Sequence, residues 1–244
     1  MRIKINWALR IVLLLSLVGM GNASASADTF YVTPLAPGVQ SPIGITSNYE
    51  TFNSGGTANG FTTNFNGSSY IGTYTGDVNF FAADFFGGAG GTGFFPLAYG
   101  AGAAYTLHLN QGATYFGLWF SALDAGNLIQ FYRGNTLLYT FPPQAFINLV
   151  GVCPGNSYCG NPNNGLDDYE QFAYLNFYDL NGTFDSIEFT QTTANAGFET
   201  DNHAVGMLSP VPEPLPLLYL ATGLFALVAI RYRYMASARS KVSD

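Results

Sequence analysis

Between residues 28 and 209 no apolar run keeps a helical period; short alternating or aromatic-rich runs follow one another, separated by Gly, Asn and Pro. Alternation puts one face of a strand in a core and the other towards solvent, and turn residues at such short intervals leave room for strands rather than helices. The pattern predicts an all-β fold, an antiparallel β-sandwich. Strand runs are read at 29–33, 45–52, 60–65, 69–74, 104–109, 114–123, 128–132, 136–141, 174–178, 186–190 and 204–208. Tyr105, Leu107 and Leu109 share one strand face; Phe116, Leu118 and Phe120 share another, opposite Tyr115 and Trp119. Arg133-Gly134-Asn135 between two runs reads as a tight hairpin. The glycine-rich stretch 87–102 reads as a long loop. Residues 142–150 can hold one helical turn, with Pro143 in the first turn and Phe146 and Val150 on one face. About 180 residues suffice to enclose one core.

Only 9% of the 244 residues are charged, against 16% aromatic. An ordinary domain is about 25% charged, so amides, hydroxyls and glycine cover this surface, while 21 Phe and 16 Tyr supply a core. From 28 to 210 there are 13 acidic residues and one basic residue, Arg133. Such a body lacks the Lys and Arg needed to displace counterions from nucleic acid, and that partner is excluded.

The basic residues gather at the ends. Arg2, Lys4 and Arg10 precede a short apolar run, 11–20, and then Ala23-Ser24-Ala25-Ser26-Ala27, which is the layout of a secretory signal peptide over residues 1–27. Residues 215–230 are uncharged and apolar, and Arg231, Arg233, Arg239 and Lys241 follow them. This predicts a C-terminal transmembrane helix whose basic tail, 231–244, stays cytoplasmic, leaving the 28–209 ectodomain across the membrane. Val211-Pro212-Glu213-Pro214 stands just before that helix, held extended by its prolines.

Pro212-Glu213-Pro214, an apolar helix containing Gly223-Leu224, and an Arg-rich end together resemble the PEP-CTERM sorting segment over residues 210–244. Tyrosines interleave the arginines at Arg231-Tyr232-Arg233-Tyr234, a departure from an unbroken run. The resemblance implies an exported substrate of an exosortase-like membrane protease. It implies an inner-membrane-anchored intermediate, then a cell-surface or matrix location associated with exopolysaccharide.

Within the body, Cys153 and Cys159 enclose five residues in a chain read as exported, which predicts a local structural disulfide. Tyr49-Glu50-Thr51-Phe52 and Phe198-Glu199-Thr200-Asp201-Asn202 resemble the first and last strands of carbohydrate-binding jelly-roll modules. That resemblance implies a structural calcium held by Glu50 and Asp201; the other reading is that Asp201 and Asn202 only order a turn. Tyr115, Trp119 and Tyr132, with Asp124, Asn127 and Gln130 nearby in sequence, could form an aromatic carbohydrate face, or could fill the interior instead. Asp167-Asp168-Tyr169-Glu170 reads as solvated loop surface, and Asp124 with Asn127 as a turn. Glycoside hydrolysis needs a suitably placed carboxylate pair, and the spacing selects none. The expectation is therefore a non-enzymatic polysaccharide-associated protein, with a secreted polysaccharide hydrolase or lyase as the alternative.

Overall fold

A computed structural model describes residues 27–44, 48–54, 59–82, 87–90 and 94–207. The segments read as signal peptide (apart from its last residue, Ala27), sorting motif, membrane helix and basic tail lie outside these residues. Among the described residues no helix is long and apolar enough to cross a membrane.

The described chain forms two antiparallel sheets. The first holds β1 (Phe30–Pro34), β2 (Tyr49–Glu50), β5 (Asn79–Ala82), β6 (Phe94–Tyr99), β8 (Tyr115–Ser121), β11 (Ala173–Asp179) and β13 (Gly197–Gly206). Its order is β1-β11-β8-β13-β6-β5, with β2 also on β13. The second holds β3 (Thr62–Thr63), β4 (Gly72–Gly76), β7 (Ala103–Ala113), β9 (Asn127–Arg133), β10 (Thr136–Phe141) and β12 (Phe184–Gln191), in the order β10-β9-β12-β7-β4-β3. A single described helix, α1 (Pro143–Val150), buries Phe146 and Val150, with Phe146 4.6 Å from Phe120.

The alternation does what it predicts. Phe116, Leu118 and Phe120 of β8 face the same core as Tyr105 and Leu107 of β7, Ile129 and Phe131 of β9, and Phe189 of β12. Rings cross the gap between sheets, Phe116 lying 6.2 Å from Phe131 and 5.9 Å from Phe189. Each such ring, fully buried, contributes about 1.5–3 kcal/mol, and a dozen of them dominate this fold. The 133–135 hairpin forms as expected: β9 ends at Arg133, β10 starts at Thr136, and Gly134 takes the positive φ the turn needs.

Three expectations change. The 87–102 stretch is not all loop, because 94–99 is strand β6, and β5 at 79–82 was not foreseen; glycine density hides both. The last strand starts at Gly197 rather than 204, since Glu199 and Asp201 point away from the core and break the apolar pattern. The runs at 45–52 and 60–65 shrink to two-residue strands, 45–47 lying outside the described residues.

The outer face of the first sheet is covered as well. Trp119 packs there with Phe172, Tyr174, Ala89 and Ala122, and its Nε1 donates to the carbonyl of Gly87 at 2.9 Å. The loops over this face carry the acidic residues of the site below.

Candidate functional site

Asp124 follows β8, Glu170 precedes β11, and Glu199 lies on β13; the sheet pairing of these strands gathers the three into one pocket. Exposed Tyr99, at the end of β6, and Asn195, in the β12–β13 loop, complete its wall, around a volume of about 320 Å³. Asp167 lines it too.

Gly197 is the pivot. Its N–H favours the ionised form of the nearby Asp124 carboxylate, and its carbonyl accepts from Asn127 Nδ2 at 2.8 Å and from Gln191 Nε2. A methyl at Gly197 would sit 1.9 Å from Glu199 Oε1, so the Glu199 carboxyl occupies the space that any other side chain would fill. Two carboxyl groups therefore converge on one glycine. Glu199 Oε2 is buried without a hydrogen-bond partner, in a residue only 4% exposed. Burial, then the nearby Asp124, Glu170 and Asp167, pushes the Glu199 carboxyl up to about 8, so it is mostly neutral at pH 7. Glu170 rises to about 7, first by desolvation and then by Asp167 and Asp124. Asp124 is raised by desolvation, opposed by the Gly197 N–H. Arg133 is the only Arg or Lys among the described residues, and it is engaged elsewhere, with Asp28 and with the Thr183 carbonyl at 2.7 Å. The pocket is thus acidic and uncompensated among the described residues.

The other foreseen residues fall out differently. Cys153 and Cys159 form the disulfide, with Cα atoms 5.6 Å apart. Tyr115 and Trp119 have no exposed surface, and Tyr115 donates to Asn176 Oδ1 at 2.9 Å. Tyr132 and Gln130 belong to the second sheet, so these aromatics share no face, and no sugar platform forms from them. Asn127 is buried, its amide bracing Gly197 and its carbonyl capping the Asp124 N–H. Asp124 belongs to a pocket all the same, beside Tyr99 rather than Trp119. Glu170 is half-buried in that pocket, which corrects its reading as plain solvated surface.

Glu50 and Asp201 do come near each other through the β2–β13 pairing, Glu50 lying opposite His203. Both oxygens of each are engaged by the protein. Glu50 accepts from the Phe52 N–H and from Thr63 Oγ1; Asp201 accepts from the Asn202 N–H at 2.7 Å and the Ala89 N–H at 2.8 Å. These bonds account for the two carboxylates as staples of the surrounding loops. Among the described residues no three His, Cys, Asp or Glu side chains come together to hold a metal ion.

Sequence reasoning missed a buried polar chain that includes Thr200 and His203 of β13. His203 Nδ1 meets the Tyr74 hydroxyl at 2.8 Å, His203 Nε2 meets Thr200 Oγ1 at 2.8 Å, and Thr200 Oγ1 meets the Tyr105 hydroxyl at 2.6 Å. Desolvation pushes the His203 ring down to about 3, and Phe189 stacks on it at 5.3 Å. A neutral ring offers one donor and one acceptor nitrogen, which matches its two hydroxyl partners. This cluster has no opening to a ligand, and its work is to tie the second sheet to β13. A second cavity, of about 430 Å³ beside His108, Asn110 and Asp185, has no comparable convergence of charge.

No family model, no curated protein and no solved structure matches this chain.

Proposed function

We propose that this is an exported, exosortase-processed surface or matrix protein whose sandwich ectodomain binds a polysaccharide without cleaving it. The observation that carries the binding role is the pocket. An exposed ring, Tyr99, stands beside an amide, Asn195, and several carboxyl groups, which is the combination a sugar ring and its hydroxyls require. Export and processing rest on the order of signal peptide, Pro212-Glu213-Pro214, apolar run and basic end. The chain passes repeatedly between the two sheets, which supports a jelly-roll-like path.

The test is retention of the detergent-solubilised full chain on polysaccharide from the producing cells, comparing wild type with Tyr99→Ala. Wild-type retention that the variant loses supports the reading; no wild-type retention removes it. Deleting 210–244 should abolish processing and surface display, and unchanged display would remove the sorting role.

One observation favours a second reading, hydrolysis or lysis of the polymer. Burial pushes Glu199 up to about 8 in a pocket it shares with Asp124 and Glu170, and a carboxyl kept protonated beside other carboxyl groups can serve as a general acid. Release of new reducing or unsaturated ends that Glu199→Gln abolishes would decide for it.

A further inference from the structure

The pocket's charge narrows the kind of sugar it can prefer. Asp124, Asp167, Glu170 and Glu199 face one space, with no Arg or Lys near them among the described residues. A neutral sugar would leave that charge uncompensated. Glu199 Oε2 sharpens the point, because a carboxyl oxygen buried with no partner is unfavourable until something donates to it. A bare metal ion fits poorly, since no three acidic side chains converge on one point among the described residues and the cavity of about 320 Å³ is far larger than an ion. An organic ammonium fits better. It carries three N–H donors spread in different directions, so it can serve carboxyl groups that do not converge, and its ring can lie against Tyr99.

We propose that the pocket recognises an amino sugar bearing a free ammonium group, with Glu199 and Asp124 receiving the ammonium and Tyr99 stacking on the ring. This rests on the glycan-binding reading and names the sugar class for it. Binding a cation stabilises the ionised form of Glu199, so the complex expels a proton to solvent as it forms.

Three β-1,4-linked hexasaccharides that differ only at carbon 2 test this: glucosamine, N-acetylglucosamine and glucose. Calorimetry on the detergent-solubilised full chain, near pH 6 and in two buffers of different ionisation enthalpy, reads affinity and proton release together. The glucosamine hexamer should bind at least about tenfold more tightly than the other two, with net proton release and a marked loss of affinity in salt. Glu199→Gln and Asp124→Asn should each reduce that preference by about tenfold. Asp124 is part-exposed, so its variant keeps the test valid should Glu199→Gln misfold. Equal binding of all three sugars overturns the ammonium proposal and leaves glycan binding standing. Binding of the glucosamine hexamer that neither variant weakens also overturns it. Failure to bind any of the three overturns the ammonium proposal, and retention on the producing cells' polysaccharide decides the glycan-binding reading separately.

Discussion

Strand β13 carries two polar regions of opposite character within five residues. Inward, Thr200 and His203 join Tyr74 and Tyr105 in a chain where each group has a partner. Outward, Glu199 ends in an oxygen with none. Burial acts on both and in each case favours the neutral form, lowering His203 and raising Glu199. The difference lies in the neighbours. Tyrosine and threonine hydroxyls adapt to a neutral ring, whereas further carboxyl groups cannot satisfy a carboxylate. A closed polar chain stabilises one packing of the sheets; an open one leaves an acceptor without a partner.

The strongest way to break this comparison is to open the closed chain. His203→Ala removes a fully buried ring, takes the His203 partner from the Tyr74 hydroxyl and leaves Thr200 with Tyr105 alone. Loss of about 3–5 kcal/mol is expected, from the cavity and the lost hydrogen bonds together. Chemical denaturation checks it, and a cost under about 1 kcal/mol would show the chain to be incidental.

Glu199→Gln should do the reverse, progressively as pH rises above the unfolded value of 4.5. Its folded value, about 8, lies above the unfolded value of 4.5, so the folded state holds the proton more tightly. That contribution is complete below the unfolded value and is lost as pH rises through about 8. The variant, which cannot ionise, should match wild type near pH 4 and lose less stability by pH 9, a gain on the order of 2 kcal/mol. Melting curves across that range check it. A parallel pH dependence in wild type and variant would mean that Glu199 already has a partner.

The disulfide belongs to neither polar region and serves as a control. Replacing Cys153 and Cys159 by serine should cost about 2 kcal/mol, the entropy of a short closed loop, with no change in the pH profile. A changed profile would tie the 153–159 loop to the acidic pocket.

Legibility followed the range of the interactions. The hairpin at 133–136 and the short helix were readable because proline, glycine and apolar spacing act within a few residues. So was the facing of Phe116 against Trp119, since strand period fixes it locally. What the period does not encode is how deeply the outer face is covered. Trp119 is buried by a segment more than 30 residues upstream, through the Gly87 carbonyl. The pocket depends on distance in the chain still more. Asp124, Glu170 and Glu199 meet only because β8 lies between β11 and β13, a neighbourhood no local spacing reveals. A usable signal was present in Gly197, two residues before an acidic residue inside a polar stretch. A strand glycine marks a close approach, and here what approaches is the Glu199 carboxyl itself.

The smallest effect should come from Glu170, and it is the most informative about coupling inside the pocket. Glu170 is only half-buried, so solvent screens it, and Glu170→Gln should change stability at pH 7 by about 0.5 kcal/mol or less. Its charge is nevertheless among those that hold the Glu199 carboxyl up, after burial and Asp124. Removing it leaves Glu199 with less repulsion, so the Glu199 titration midpoint should move below the wild-type value of about 8. Carboxyl chemical shifts followed by NMR across pH 5–9 would resolve that midpoint directly. A fixed midpoint would mean that Glu199 is raised by burial alone and that the four carboxyl groups do not act as one site. The pocket would then have no more claim on a cation than any other buried acid.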